Sequence, residues 1–335
     1  LVELTVVIPT RDRRAILRET LSRLERQAGG VIFEIKVVDD GSPDGTRELV
    51  REMAARRPIA IELIEQPGQG SAAARNRALS VAKAPVCLFL NDDTWAHRDL
   101  LTRHRDFHLL NPRPTAALLG SIVLPRSPRP TPLMRWLQDQ CFDYAGIDDP
   151  EDVGGGRFFT ANVSAKTRLL RQVGGFGEAF PSAAHEDIDL GLRLEKRGMR
   201  LAYDPDAIVE HFHPMDIAAA IERMRGIGRG LAPFVERHPA WPVPRRPGVR
   251  HRVKAAALTA VAAIGAAPPR VQREIWRFLC HEATRESYWE AVDNVGRGAD
   301  DSDRALRIGA RLAHMASDDE DASMPQPSEP RAPRP

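Results

Sequence analysis

Two acidic clusters carry the residue types from which chemistry could be built: Asn91-Asp92-Asp93, and Glu186-Asp187 behind His185. The first closes the apolar run Val86-Cys87-Leu88-Phe89-Leu90, which reads as a buried parallel strand delivering its polar end to the carboxyl edge of a sheet. Adjacent carboxylates repel one another, so such a cluster persists when water or a hard divalent cation neutralises it. The second opens a stretch with apolar residues at Ile188, Leu190, Leu192 and Leu194 and with Gly198 beyond. This predicts a helix over 187–197 ended by glycine. Carboxylates at its N-terminus are favoured by the helix dipole, so Asp187 is either a cap or a base able to take a proton. His211 and His213 follow in AIVEHFHP; two histidines at i, i+2 on a strand end share a face and could complete an aspartate-based metal site.

Alternating elements must position these groups. Strand text at LTVVIPT, EIKVVDD, IAIELIEQ and VCLFLND alternates with helical text over 14–27, 45–56 and 71–82. Such alternation implies a mostly parallel sheet with right-handed crossovers. Strand one ends in Pro9-Thr10 and strand two in Asp39-Asp40-Gly41-Ser42, so polar groups gather at one carboxyl edge, where open α/β sheets bind ligands. GQGSAA, 68–73, satisfies a dinucleotide-type glycine pattern, but it comes third in the fold and after an intervening Glu65-Gln66-Pro67. It reads equally as a loop with Ser71 as N-cap, or as a loop that faces a phosphate or base together with Arg75.

From 111 to 152 the text turns proline-rich around the strand AALLGSIVL, which predicts a long loop region of the kind that serves as a lid. A glycine run, an aromatic strand, a short helix and a Gly-Gly-Phe turn follow, the glycines permitting close backbone approach to a ligand. The 335 residues suffice for one large domain with an appendage or for two ordinary ones. With 48 basic and 46 acidic residues the formal charge is +2, which gives no electrostatic case for nucleic acid. Cys87, Cys141 and Cys280 are far apart and odd in number, which fits a reducing compartment and neither a disulfide framework nor a zinc signature. Cys87 reads as core. The opening strand has no export-signal layout and the longest apolar stretch, 255–267, is too short for a bilayer span, so a cytoplasmic protein, soluble or peripheral, is expected.

PTRDR, VVDDGSPDGT, GQGSAAARNRAL, FLNDDT, TANVSAKTRLLRQVGGFGEAF, HEDIDLGLRLEKRG and AIVEHFHP, in that order, resemble the family 2 glycosyltransferases of the GT-A fold over residues 3–215. The resemblance implies a mostly parallel nucleotide-binding sheet flanked by helices and followed by a C-terminal helical extension. It implies that Pro9, Thr10 and Arg11 line the nucleoside pocket, that Asp40 hydrogen-bonds the base and that Arg75 helps hold the nucleotide. The family's metal motif falls on Asn91-Asp92-Asp93, with asparagine at its first position. Asp93 is then the direct ligand to Mn2+ or Mg2+, with Asp92 or Asn91 contacting ribose or metal-bound water. His211 matches the metal-ligating histidine, with His213 as the fallback. Asp187 matches the catalytic base and Glu186 a neighbour that orients the acceptor.

With one base and no second catalytic carboxylate, a nucleotide-diphosphate sugar would react by single displacement with inversion. The acceptor could be a glycan, a lipid-linked sugar or a small molecule. The competing class is a degenerate module that binds nucleotide or glycan without reacting, for which Asn91 is the best argument. A sugar nucleotidylyltransferase would open with a glycine-rich phosphate loop, which PTRDRR does not offer.

Domain boundaries are expected at 1–215 for the catalytic domain, 216–315 for a helical extension and 316–335 for a disordered tail. In the extension, the basic, proline-broken text over 237–254 leads into AAALTAVAAIGAA. It reads as a solvated linker followed by a buried helix; peripheral contact with an anionic leaflet is the other reading. Helical text over 271–292 offers Trp276, Phe278, Tyr288 and Trp289 for packing.

Overall fold

The computed structural model describes residues 1–56, 59–142, 144–181, 184–264 and 268–298. They fall into two compact units, Leu1–Phe142 with Ile147–Pro214, and 144–146 with the described residues from Met215 onward. The expected tail and the end of the extension lie outside the described residues.

The first unit is built on an eight-stranded mixed sheet. Its first half follows the predicted alternation: β1 (Leu4–Thr10), α1 (Arg14–Leu24), β2 (Phe33–Asp39), α2 (Thr46–Ala55), β3 (Ala60–Glu65), α3 (Gly70–Val81) and β4 (Val86–Leu90). β1 lies between β2 and β4, and β3 pairs outside β2, all parallel. β4 is buried along its whole length, as a continuous apolar run requires when both faces of a sheet are covered. Each of Leu88, Phe89 and Leu90 is 0% exposed, worth about 1.5–3 kcal/mol of burial apiece. Cys87 is likewise core, its thiol pushed up to about 11 by burial.

The second half reverses direction. After β5 (Thr94–Ala96), α4 (Leu100–Leu110) and β6 (Ala116–Val123) come α5 (Pro132–Cys141), β7 (Asn162–Lys166), α6 (Thr167–Gln172), α7 (Glu186–Glu195) and β8 (Arg200–His211). β7 is antiparallel to both β4 and β6, β8 is parallel to β6, and β5 closes the edge antiparallel to β8, giving the order β3-β2-β1-β4-β7-β6-β8-β5.

Two local expectations are corrected. The proline-rich stretch after β6 contains α5, whose start is chemically explicit: the Thr131 side chain accepts from Met134 N at 3.2 Å and Pro132 sits in the first turn. The strand expected to include the aromatics begins only at Asn162. Phe158 and Phe159 precede it, and Gly155–Arg157 forms a 3-10 turn.

The second unit contains α8 (Ile217–Arg237), capped by Asp216 accepting from Ala219 N at 2.8 Å, then α9 (Val249–Ile264) and α10 (Pro269–Gly298). α8 and α10 pack through small residues. A Cβ at Gly228 would lie 2.2 Å from Ser287 Oγ and 2.3 Å from Thr284 O, so the MRGIGRG text exists to let backbones approach. The buried helix expected after the basic linker is instead a largely exposed one: along α9 only Ala255, Leu258 and Ala262 are half-buried among the side chains described. No helix among the described residues is long and apolar enough to cross a membrane.

Candidate active site

The carboxyl ends of β1, β2 and β4 converge, and β5 and β8 bring a second set of groups to the same place. Because β5 continues directly from the Asn91–Asp93 turn, its antiparallel pairing sets Thr94 opposite His211, and Phe212 N donates to Asp93 O at 2.8 Å. Register therefore carries the histidines to the acidic turn. Trp95 stacks on Phe212 at 4.6 Å with Arg23 over its outer face at 4.8 Å, which fixes that edge.

Asp93, His211 and His213 form one cluster, with one ligand atom of each within 4.8 Å of the others. His213 Nδ1 lies 2.6 Å from Asp93 Oδ2, and His211 Nε2 lies 3.4 Å from Asp93 Oδ1. The two imidazoles stack at 5.5 Å, and both face Asp93. Burial works against the Asp93 carboxylate, but His211 and then His213 hold it well below the usual carboxylate range. Asp93 Oδ1 is buried without a hydrogen-bond partner of good geometry. A buried carboxylate with an imidazole beside each oxygen, and one oxygen lacking a well-formed hydrogen bond, fits a divalent cation.

Arg13 stands in this cluster and was not among the expected residues. Its Nη1 lies 2.5 Å from Asp93 Oδ2, 3.4 Å from Asp92 Oδ1 and 3.3 Å from His213 Nδ1. The expected Arg11 instead has a side chain 58% exposed, 4.0 Å from Asp40. The reason is local: Asp12 takes a left-handed conformation, φ 55°, with its N–H donating to Ser42 Oγ at 2.9 Å. The chain thereby turns Arg13 inward and leaves Arg11 outside. Nothing in the text PTRDRR announces that left-handed angle, so the sequence carried no signal that separates Arg13 from Arg11.

Asp92 points toward β1 and α1. Its Oδ2 accepts from Thr10 Oγ1 at 2.8 Å, and its backbone carbonyl accepts from Thr20 Oγ1 at 2.6 Å. Burial and the neighbouring Asp93 charge push its carboxyl up to about 7. Pro9, half-buried, precedes Thr10 at the end of β1.

A second network joins α3 to α7. Arg75 Nη1 donates to Glu186 Oε1 at 2.8 Å, Arg75 Nη2 donates to Asn91 Oδ1 at 3.3 Å, and Ser71 Oγ donates to Glu186 Oε1 at 3.1 Å. Arg75 and Glu186 are 4% and 3% exposed. Burial and then the Asp187 charge raise the Glu186 carboxyl, while Arg75 opposes them. One expectation shifts accordingly. Ser71 is no N-cap, since that position belongs to Gln69. Arg75 turns Nη1 to Glu186 and Nη2 to Asn91 while its Nε is buried without a partner, and Glu186 faces Arg75 from the interior. Asp40 is similarly engaged: its carboxylate accepts from Gln69 N, Gly70 N and Gln66 Nε2 at 2.6, 3.0 and 2.6 Å, holding the GQG turn at the start of α3.

Asp187 is half-buried at the start of α7. Oδ1 accepts from Ile188 N at 2.9 Å, while Oδ2 is 3.4 Å from both Thr160 N and Thr160 Oγ1. That is loose anchoring for one oxygen, which leaves it able to accept a further proton donor. The helix itself is held close. A Cβ on Gly191 would lie 2.0 Å from Gly155 O, so the glycine run meets the backbone of α7 where approach to a ligand was expected.

Comparison with known proteins bears on the family and the fold. The family model described as Glycosyl transferase family 2 matches residues 5–122, and that of Glycosyl transferase family group 2 matches residues 86–265. Validoxylamine A glucosyltransferase of Streptomyces hygroscopicus subsp. jinggangensis (strain 5008) is 31% identical over 266 residues, covering 71% of this chain and 61% of that protein. Pre-mycofactocin glycosyltransferase of Mycobacterium tuberculosis (strain ATCC 25618 / H37Rv) is 29% identical over 251 residues, covering 71% and 48%. The chain thus spans less than two thirds of the length of these curated relatives.

Among solved structures, the mannosyltransferase PcManGT from Pyrobaculum calidifontis, in complex with GDP-Man and Mn2+, superposes with a TM-score of 0.54 at 20% identity, over 94% of this chain and 80% of that one. S. aureus TarS 1–349 in complex with UDP gives 0.51 at 20% identity, over 89% and 92%. At such identities the likeness speaks for the fold alone, and that fold is the GT-A type. Sequence family and fold converge: the chain belongs to glycosyl transferase family 2.

Proposed function

We propose that this chain transfers a sugar from a nucleotide-diphosphate sugar to an acceptor hydroxyl with inversion at the anomeric carbon. The observation that carries the proposal is the hydrogen-bonded chain Asn91–Arg75–Glu186, which ties the turn bearing Asp93 to the helix start bearing Asp187. A charge-neutralising centre and a proton acceptor are thereby held in one frame. The relatives support sugar transfer, and the solved structures with GDP-Man, UDP and UDP-GlcNAc support a nucleotide-sugar donor.

In this proposal Asp93, His211 and His213 hold a divalent cation, which supplies Lewis-acid neutralisation of the leaving diphosphate when bound. Mg2+ prefers oxygen ligands, so two imidazoles make Mn2+ the better fit of the two ions. Pro9, Thr10 and Arg11 border the nucleoside, Asp40 shapes the base pocket by fixing the GQG turn, and Asp92 presents a carboxyl toward the ribose. Asp187 Oδ2 takes the proton of the acceptor hydroxyl as its oxygen bonds to the anomeric carbon and the bond to the diphosphate breaks. Arg75 and Glu186 position this machinery without touching the reacting atoms. The acceptor is a glycan, a lipid-linked sugar or a small molecule. We place the reaction in the cytoplasm, to which three separate free thiols are suited.

The test is a thermal-shift panel of UDP, dTDP and GDP and their sugars, each with Mn2+ or chelator, on wild type, Asp93→Ala and Asp187→Asn. Stabilisation by one nucleotide that needs both metal and Asp93 is expected, because ligand binding raises stability with concentration over Kd. Asp187→Asn should keep that shift while losing about 10²- to 10⁴-fold in turnover. No shift with any nucleotide, or full turnover by Asp187→Asn, would sink the proposal and return weight to a non-catalytic binding module.

A further inference from the structure

α9 has two faces of different kind. His251, stacked at 6.5 Å on Phe278, and Lys254, 4.4 Å from the same ring, turn toward α10, and Ala255, Leu258 and Ala262 are half-buried on that side. Opposite them Val249, Val253, Ala256, Ala257 and Ala260, at i, i+4, i+7, i+8 and i+11, form one exposed apolar stripe. Val249 and Val253 are 78% and 66% exposed. Helical geometry puts Arg250 on one flank of this stripe and Arg252 on the other. From residue 237 to residue 273 the sequence has no aspartate or glutamate, although the whole chain is close to neutral. The acidic groups facing this segment come from α10: Glu286, 4.0 Å from Arg252, and Asp293, paired with Arg246, which also lies over Trp289.

We propose that the outer face of α9 docks on an anionic membrane leaflet, the valine–alanine stripe entering the headgroup boundary while Arg250 and Arg252 meet lipid phosphates. Apolar burial and basic flanks are the two contributions that hold a helix in that plane, and both are present on one face. A second copy of this chain is the weaker occupant, because pairing two such stripes would set arginine flanks against arginine flanks. The proposal stands apart from the sugar-transfer reading and survives its failure.

The experiment is co-sedimentation of the full chain with vesicles of phosphatidylcholine alone or with phosphatidylserine, at low and high salt. Wild type should bind the anionic vesicles at low salt and lose at least tenfold in partitioning on neutral vesicles or in high salt. Arg250→Glu with Arg252→Glu, and separately Val253→Asp, should each cost a similar factor while leaving the melting temperature and the nucleotide shift unchanged. As a second measure, an environment-sensitive dye on Val253→Cys should shift to the blue with anionic vesicles. The proposal is overturned by no binding to anionic vesicles, by equal binding to neutral ones, by unaltered binding of the charge-reversed variant, or by a dimer in solution that Val253→Asp dissociates.

Discussion

Arg13 has a measurable consequence for the cation. Its guanidinium holds a positive charge against Asp93 and Asp92, so any metal drawn to Asp93 must compete with it. At an effective dielectric near 20, a charge pair about 4 Å apart is worth ~4 kcal/mol before solvent and side-chain freedom are counted. The Arg13 side chain is 32% exposed and can turn outward, which recovers much of that cost through hydration. A net penalty of about 1–2 kcal/mol on metal entry follows, or roughly 5- to 30-fold in dissociation constant.

Arg13→Gln removes the charge while keeping a polar amide, though on a shorter side chain with fewer donors. Without nucleotide it should bind Mn2+ about 5- to 30-fold more tightly than wild type, read from the loss of the free-ion signal in electron paramagnetic resonance. Asp93→Ala should abolish that binding and serves as the control that the site is the one titrated. With nucleotide diphosphate present the advantage should shrink, since a freed guanidinium can pair with phosphate. Equal or weaker Mn2+ binding by a fully folded Arg13→Gln, alongside loss in Asp93→Ala, would refute the competition while leaving the metal site standing.

Two further outcomes follow from the buried polar groups. Arg75→Met leaves Glu186 buried without its cation and should cost about 3–5 kcal/mol, seen as a fall in denaturant midpoint, whereas the double variant with Glu186→Leu should recover most of it; no recovery would mean that the pair is not the source of the loss. His104, His108 and His185 are held neutral chiefly by burial, which lowers them to about 4, about 2 and about 4. The unfolded chain binds these protons first, so stability is complete above about pH 6.5 and falls as pH drops from there toward 4. A displacement of this size in His104 is worth about 3 kcal/mol at most, and His104→Gln should flatten the fall in melting temperature between pH 6.5 and 5.

What could be read in advance divides along physical lines. Local text sufficed where periodicity and chemistry agree, as for β1 to β4 and their helices, because a parallel sheet buried on both faces leaves an unmistakable apolar run in VCLFL. It failed at α5, where prolines dominated the reading and the Thr131-Pro132 start signal was passed over. It failed again at α9, because an alanine-rich helix has the same text whether it is covered or bare. At the site, the residue types were legible but the pairings were not. Glu186 is 111 positions from Arg75, and only the meeting of α3 with the start of α7 joins them. Arg13 was hidden by a single backbone angle at Asp12.

The mixed sheet explains why Asp93 and two histidines from much later in the chain meet at one edge. Parallel strands β1, β2 and β4 bring their polar ends together, but parallel order alone would carry each following segment away across a helix. The antiparallel β5 removes that detour: the chain leaves the Asn91–Asp93 turn directly into a strand that pairs with β8, so residues more than a hundred positions later return beside Asp93 by register. A one-residue slip in that pairing would turn His211 to the opposite face of β8 and strip Asp93 of an imidazole. Register is held against such a slip by the Phe212 N to Asp93 O bond and by the Trp95–Phe212 stack. The positioning of Asp93, His211 and His213 is thus a property of strand pairing first and of side-chain chemistry second.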